Sequence, residues 1–278
     1  MIYEITNASN VSPLFGKWEE TIIWSCLQGV MGKIYADDPS APAAAMAMLG
    51  DFSFFAGKPN IELISYRPNP PSKNGARKSP HCGMPESCII MVPQNESWKN
   101  MITDFYGKRA AVITRYATKK EPHIFDKKKL EKAVDSLPEQ YTLSMMDERL
   151  YEKCIAETWC ADLVSQFPDY ESFRKLGIGA VICKEGAVIS GASSYSRYRE
   201  GIEIEIDTRE DYRRRGLAYI CGAKLILECL RRGLYPGWDA HDGRSLALAE
   251  KLGYRLDHPY TAYWVEEKVR HRRDPNIN

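Results

Sequence analysis

The stretch GIEIEIDTREDYRRRGLA, residues 201–218, concentrates side chains whose types and spacing suit chemistry. Glu203, Glu205 and Asp207 alternate with Ile202, Ile204 and Ile206, the period of a strand. One face of that strand is therefore apolar and the other carries three carboxylates. Carboxylates held side by side attract cations and can accept a proton. Directly after the strand come Arg213, Arg214, Arg215 and Gly216, then the helix-like run that begins Leu217-Ala218. The first N–H groups of a helix have no partner within it and lie at the positive end of its dipole, so they bind anions, phosphates above all. A glycine without Cβ lets the backbone come close, Ala218 keeps the first turn small, and arginines add neutralising charge. The turn at the end of this acid-lined strand reads either as a pyrophosphate cradle or as an exposed basic turn before an ordinary helix, and taken alone the basic tripeptide favours the second.

The elements that position this turn are legible on both sides. IGAVICKEG and AVISGASSYSRYRE read as a hairpin across Lys184-Glu185-Gly186, leading into the acidic strand. LAYICGAKLILECLRRG reads as an apolar-striped helix stopping at Gly233. YPGWDAH reads as a short strand, GRSLALAEKLG as a short helix ended by Gly253, and YRLDHPYTAYWV as a last strand. Upstream, QYTLSMMD reads as a strand, with helices in ERLYEKCIAETWCADLVSQF and DYESFRKLG.

The first half reads α then β. VSPLFGKWEETIIWSCLQGV predicts a helix opening at Ser12-Pro13. GKIYADD and AAMAMLGDFSFFAG predict strands, and 67–83 a Pro-, Asn- and Gly-rich loop. SCIIMVP, NESWKNMITDFYG and KRAAVITRYATKK predict strand, helix and strand, with Asn95 opening and Gly107 closing the helix. DKKKLEKAVDSLP is a lysine-rich helix whose interleaved acids make it a solvated face. The run from Cys88 to Thr118 matches in outline the run from Tyr235 to Val265, which suggests a degenerate duplication.

Bulk properties exclude several classes. The 278 residues carry 38 lysines and arginines against 37 acids, so no net field favours nucleic acid or a membrane. The apolar share of 44% and the charged share of 27% are those of a globular protein. The apolar stretch at 41–49 is too short to span a bilayer, and the start MIYEITNASN has no export signal. Eight cysteines without a CxxC pair point to buried, reduced thiols and a cytoplasmic location. The run from His81 to Cys88 has no partner cluster and reads as a loop, so no metal is expected.

The order strand, EDYRRRGLA, long helix, strand and a short helix ending KLGY resembles the GNAT superfamily of N-acetyltransferases. Arg213, Gly216 and Ala218 fit that family's Arg/Gln-x-x-Gly-x-Gly/Ala signature, with Tyr212 before it. DGRSLALAEKLGY supplies the second family block through Ser245, Leu248, Lys251, Leu252, Gly253 and Tyr254. The resemblance covers 176–265 and is similar to the zwittermicin A resistance-type branch, whose N-terminal half is extra to the catalytic module. It implies an α/β (α+β mixed-sheet) GNAT fold over 123–278, preceded by a smaller GNAT-like domain over 1–122 without the CoA signature.

It also implies direct transfer of an acetyl group from acetyl-CoA, as co-substrate, to a primary amine of a small polar or cationic molecule. The cofactor would lie against Ile206, Asp207, Thr208, Arg213, Arg214, Arg215, Gly216, Leu217, Ala218, Asp242 and Ser245. Glu205, ahead of Glu203, would take the proton. Two positions depart from the family pattern: Asp242 replaces a frequent asparagine, and Ala249 replaces the tyrosine that often protonates the leaving thiolate. The competing expectation is an acyl-CoA-binding or sensing module without catalysis. Neither nucleic-acid nor membrane partners are expected, a peptide amine stays open as acceptor, and no motif speaks to oligomeric state.

Overall fold

The computed structural model describes residues 1–68 and 88–266. Most of the loop read over 67–83, nearly all of the His81–Cys88 run and the basic tail lie outside the described residues.

In the first half, β1 (Tyr3–Ile5), β2 (Lys33–Ala36), β3 (Ala44–Leu49) and β4 (Phe52–Gly57) form an antiparallel meander. Strand β5 (Cys88–Pro93) then runs parallel to β4. The second half repeats this with β7 (Thr142–Met145), β8 (Gly179–Lys184), β9 (Ala187–Tyr198) and β10 (Gly201–Thr208) antiparallel, and β11 (Tyr235–Gly237) parallel to β10. Helix α4 (Glu96–Tyr106) leads from β5 to β6 (Ala110–Thr118). In the second half α9 (Gly243–Leu252) leads to β13 (Leu256–Glu266), after β12 (Asp239–Ala240). Both halves therefore share strand order and strand directions.

The last strands are exchanged. β13 lies between β5 and β6, and β6 lies between β13 and β12, in the order β1-β2-β3-β4-β5-β13-β6-β12. The other sheet runs β11-β10-β9-β8-β7. Residues 235–240 join the two, since β11 pairs with β10 and β12, just past Trp238, pairs with β6. Among the described residues no helix is long and apolar enough to cross a membrane, and the cysteines at 26, 88, 154, 160, 183, 221 and 229 are free thiols.

Local chemistry accounts for most elements. Asn95 accepts the Trp98 N–H at the start of α4, and Asp126 accepts the Lys129 N–H at the start of α5 (Lys127–Asp135). The hairpin turns at Glu185-Gly186, where both residues have positive φ, as a type I′ turn requires. Two segments differ from expectation. Residues 11–30 form two helices, α1 (Ser12–Phe15) and α2 (Thr21–Leu27), because Gly16 takes φ 58° and ends the first. The run from Glu148 forms α6 (Glu148–Ala156) and then only a 3₁₀ turn at Ala161–Leu163, ahead of α7 (Tyr170–Leu176).

The two faces of β10 separate as its alternation demands. Ile202 and Ile204 are buried in one cluster with Leu217, Ile220, Ala223 and Leu252, beneath α8 (Leu217–Arg231), and Ile206 packs at its margin. Burying such a side chain contributes roughly 1.5–3 kcal/mol. The opposite face meets the first half of the chain. The register shift at Glu203/Ile204 leaves Tyr195 of β9 as the extra residue, and its hydroxyl donates to Asp51 at the β3–β4 turn.

Candidate functional site

β10 and β11 pair at Gly201↔Tyr235, Ile202↔Pro236 and Glu203↔Gly237 only. From Ile204 to Thr208 no strand among the described residues lies beside that edge of β10, because the chain past Gly237 turns away to β6. Glu203 sits at the fork. Its Oε1 accepts the Asp239 N–H at 2.6 Å and its Oε2 accepts the Thr21 hydroxyl. A Cβ on Gly237 would fall 2.8 Å from Glu203 Oε2 and 2.9 Å from the Ile202 carbonyl, so only glycine lets the fork close here. Glu205 lies past the fork, half-buried, and its Oε1 accepts the Ile206 N–H at 3.1 Å. Beyond it, the Asp207 carbonyl and the Thr208 hydroxyl both hydrogen-bond Ser190 Oγ.

The open edge runs into the turn before α8. Gly216 is the N-cap at φ 79° and offers no side chain to the first helical N–H groups. Asn95, Asp126, Asp147, Asp169 and Asp242 cap α4, α5, α6, α7 and α9 with their side chains, whereas α8, at 15 residues, starts bare. Arg214 also has positive φ, 61°, a left-handed conformation of the kind found in anion nests. Around Gly216 a Cβ would meet nothing within 4 Å, so the space above the bare N–H groups is open. These residues fit a pyrophosphate.

The arginines divide the work. Arg213 donates to the Thr208 carbonyl at 3.2 Å and Arg215 to the Asp211 carbonyl at 2.8 Å. Arg215 and Arg209 both lie on the Tyr212 ring, at 4.8 and 4.7 Å from its centroid. These contacts hold the turn, while none of the described contacts engages the exposed Arg214 side chain. Leu217 is buried in the core.

The second block is built into the fold. Asp242 Oδ1 accepts the N–H groups of Arg244 and Ser245, and Ser245 Oγ accepts the Trp238 indole N–H at 3.2 Å. Ala249 is fully buried in the core. Tyr254 is buried, with its hydroxyl on the Pro236 carbonyl, and Tyr263 packs in a cluster of the first half.

Sequence reasoning missed what the first half brings to the acidic face. Asp239 is held by Arg115 Nε at 2.7 Å and by the Tyr260 hydroxyl at 2.6 Å, and Arg115 lies 4.7 Å above the Phe52 ring. Burial pushes the Glu20 carboxyl up to about 8, aided by the charges of Asp239 and Glu203 and opposed by Lys120 and Arg115. Burial and the Asp239 charge push Glu203 up to about 7, against the Thr21 hydroxyl, Lys120 and the Asp239 N–H. Asp51 is raised by burial, against the Tyr195 hydrogen bond. Carboxyls displaced in this way cluster at functional sites.

A stability signature follows. Glu20 binds its proton more tightly folded than unfolded, so its contribution is complete below about pH 4.5 and is lost as pH rises through about 8. The melting temperature of the wild type should therefore fall between pH 5 and pH 8, and that of Glu20→Gln should fall less, by about 5 °C. Equal falls would mean that Glu20 is already ionised.

Among the described residues, no bare helix start faces the first half's slot. Between β4 and β5, Gln94 N–H donates to the Phe55 carbonyl, Gly57 N–H to Gln94 Oε1 and Trp98 Nε1 to the Gly57 carbonyl, each at 3.0 Å. The following helix α3 (Ile61–Ser65) is capped by Asn60.

Comparison with known proteins agrees with this geometry. A family model for GNAT acetyltransferases matches residues 12–263. The solved GCN5-related N-acetyltransferase-like protein of Streptococcus suis 89/1591 is 49% identical, with 94% of this chain and 98% of that one covered and a TM-score of 0.83. The protein of Bacillus subtilis (strain 168) named uncharacterized N-acetyltransferase YdfB is 25% identical over 256 residues, 89% of this chain and 91% of that one. A GNAT-family acetyltransferase from Colwellia psychrerythraea shares the fold at 10% identity, with a TM-score of 0.50 over 96% of this chain and all of that one. With its fork, its bare helix start and a match across both halves, the chain belongs to the GNAT acetyltransferase family, whose co-substrate is acetyl-CoA.

Proposed function

We propose that this acetyltransferase moves the acetyl group directly from acetyl-CoA to a primary amine of a small polar or cationic molecule, at the fork between β10 and β11. The observation that carries this reading is the open, acid-faced edge of β10 running into the uncapped start of α8. Bound acetyl-CoA supplies the thioester carbonyl that an amine attacks. The N–H groups of the Arg214–Ala218 turn and the Arg214 guanidinium hold its pyrophosphate, and its extended arm lies along β10 at Ile206, Asp207 and Thr208 as another strand would. A backbone N–H of β10 donates to the oxygen on which charge develops. Glu205, past the fork, accepts the amine proton, while Glu203 is held at the fork by Thr21 and Asp239. A screen of amine classes for acetyl-CoA-dependent thiol release, with mass detection of the acetylated product, tests the reading. Release with none of them would sink it.

Ala249, buried where many relatives carry tyrosine, favours a second reading in which the chain binds acyl-CoA without catalysis. We read the matching strand orders as a duplication in which 1–122 lost its cofactor site and 123–278 kept one, as in the zwittermicin A resistance-type branch. Calorimetric titration should accordingly give one acetyl-CoA equivalent per chain, and two equivalents would contradict the loss.

A further inference from the structure

A pocket of about 220 Å³ opens where the residues before α2 meet the end of β6 and the start of β13. Trp18, Glu20, Lys120, Glu121, Asp257 and His258 line it. Its size suits a ligand smaller than a drug-like molecule. Two carboxyls there accept no described hydrogen bond. Glu20 is 6% exposed, and no described hydrogen bond reaches its side chain. Oε2 of Glu121 is buried without a hydrogen bond, its nearest cation being Arg255 at 3.6 Å. The other charges are better matched: Lys120 Nζ donates to the Thr118 carbonyl at 3.3 Å, and Asp257 Oδ2 lies 2.7 Å from His258 Nδ1. A buried carboxyl left without a donor costs free energy. What these two carboxyls lack is an N–H donor.

We propose that this pocket is a binding site for a small alkylammonium ion, whose N–H groups satisfy Glu20 and Glu121. An ammonium brings three donors and a positive charge to two carboxyls that no described hydrogen bond reaches. The site is separate from the cofactor slot but shares its acidic side, since Thr21, next to Glu20 in the chain, hydrogen-bonds Glu203 at the fork. Binding is coupled to a proton. Glu20 faces Glu203 and Asp239, which hold its proton on, and Lys120 and Arg115, which oppose them. Tyr260 is within the same field, and Glu19, Lys119, Asp257 and His258 complete the charged groups around the pocket. An arriving cation favours the ionised carboxylate, so occupation expels the Glu20 proton and affinity rises with pH up to about 8.

The test is calorimetric titration of 1,4-diaminobutane into the full chain without acetyl-CoA, at pH 6.5 and 8.5, in two buffers of different ionisation enthalpy. The diamine stays charged over this range, as amines of pKa about 10 do. Expected are saturable binding, at least tenfold tighter at the higher pH, and net proton release at the lower. Glu20→Gln should weaken binding at least tenfold and flatten its pH dependence. Glu121→Gln should weaken it too, and carries the test should Glu20→Gln fail to fold. Absence of saturable binding, or unchanged affinity in both variants, overturns the proposal. So does competition by inorganic phosphate, which would make the pocket an anion site on Lys119, Lys120 and His258. Loss of binding in Glu205→Gln with Glu20→Gln unaffected would place the diamine in the acceptor slot. That outcome overturns this site while leaving the acetyl-transfer reading standing.

Discussion

Gly216→Val should abolish measurable acetyl-CoA binding in a protein that still folds, a loss of at least about a hundredfold in affinity, or about 3 kcal/mol. Two effects act together. The glycine sits at φ 79°, where a β-branched residue is strained by roughly 1–3 kcal/mol, so the turn shifts. Its new Cβ and methyl groups also occupy the open space above the bare N–H groups of α8. The helix is anchored below by Leu217, Ile220 and Cys221 in the core, which keeps the fold intact. Gly216→Ala adds a single methyl and should fall between wild type and valine. Calorimetry with acetyl-CoA on folded protein decides the matter, and unchanged affinity in Gly216→Val removes the turn from the cofactor site. Arg214→Ala should cost less than Gly216→Val, because it removes one charge and leaves the backbone nest in place.

Glu205→Gln should lower turnover by about 10² to 10⁴ with little change in acetyl-CoA affinity, the range over which a positioned proton acceptor acts. The substitution keeps size and hydrogen bonding but removes the charge. Glu205 lies beyond the last β10–β11 pair, where the strand edge is open, whereas Glu203 holds the fork through Asp239 and Thr21. Glu203→Gln should therefore act mainly on the acceptor KM. Steady-state kinetics on both variants, with the amine found in the thiol-release screen, distinguishes the roles. A dead Glu203→Gln beside a wild-type Glu205→Gln reverses them. Two unimpaired variants would make the acids an idle face, with the amine losing its proton to water.

Local signals carried most of what the chain disclosed of itself. The two-residue period of 202–207 sorts isoleucines to the α8 side and acids to the other, and Asn95, Asp126 and Asp242 cap the helices they precede. Each of these depends on neighbours within a few residues. The same locality hid the rest. Glu20, Asp51, Arg115, Asp239 and Tyr260 converge on the acidic face only after β13 and β6 have been exchanged between the halves, and no spacing along the chain encodes that meeting. The fork itself is tertiary: YPGWDAH reads as one strand, but Trp238 divides it because the Asp239 N–H goes to Glu203 and Ala240 pairs with Tyr116. The side chains of Asp242 and Ser245 cap α9 and hold the Trp238 indole, contacts that the sequence pattern did not indicate. Gly16, taken as one more residue of a long helix, ends it.

The most direct measurement combines thiol release with mass analysis of enzyme and amine in one reaction, for the wild type and for Gly216→Val. Direct transfer at the fork predicts one thiol released per acetylated small amine, no acetylated enzyme at any time, and neither product with the valine variant. Stoichiometric acetyl-CoA binding without thiol release against every amine class, or thiol release that persists in Gly216→Val, would contradict it.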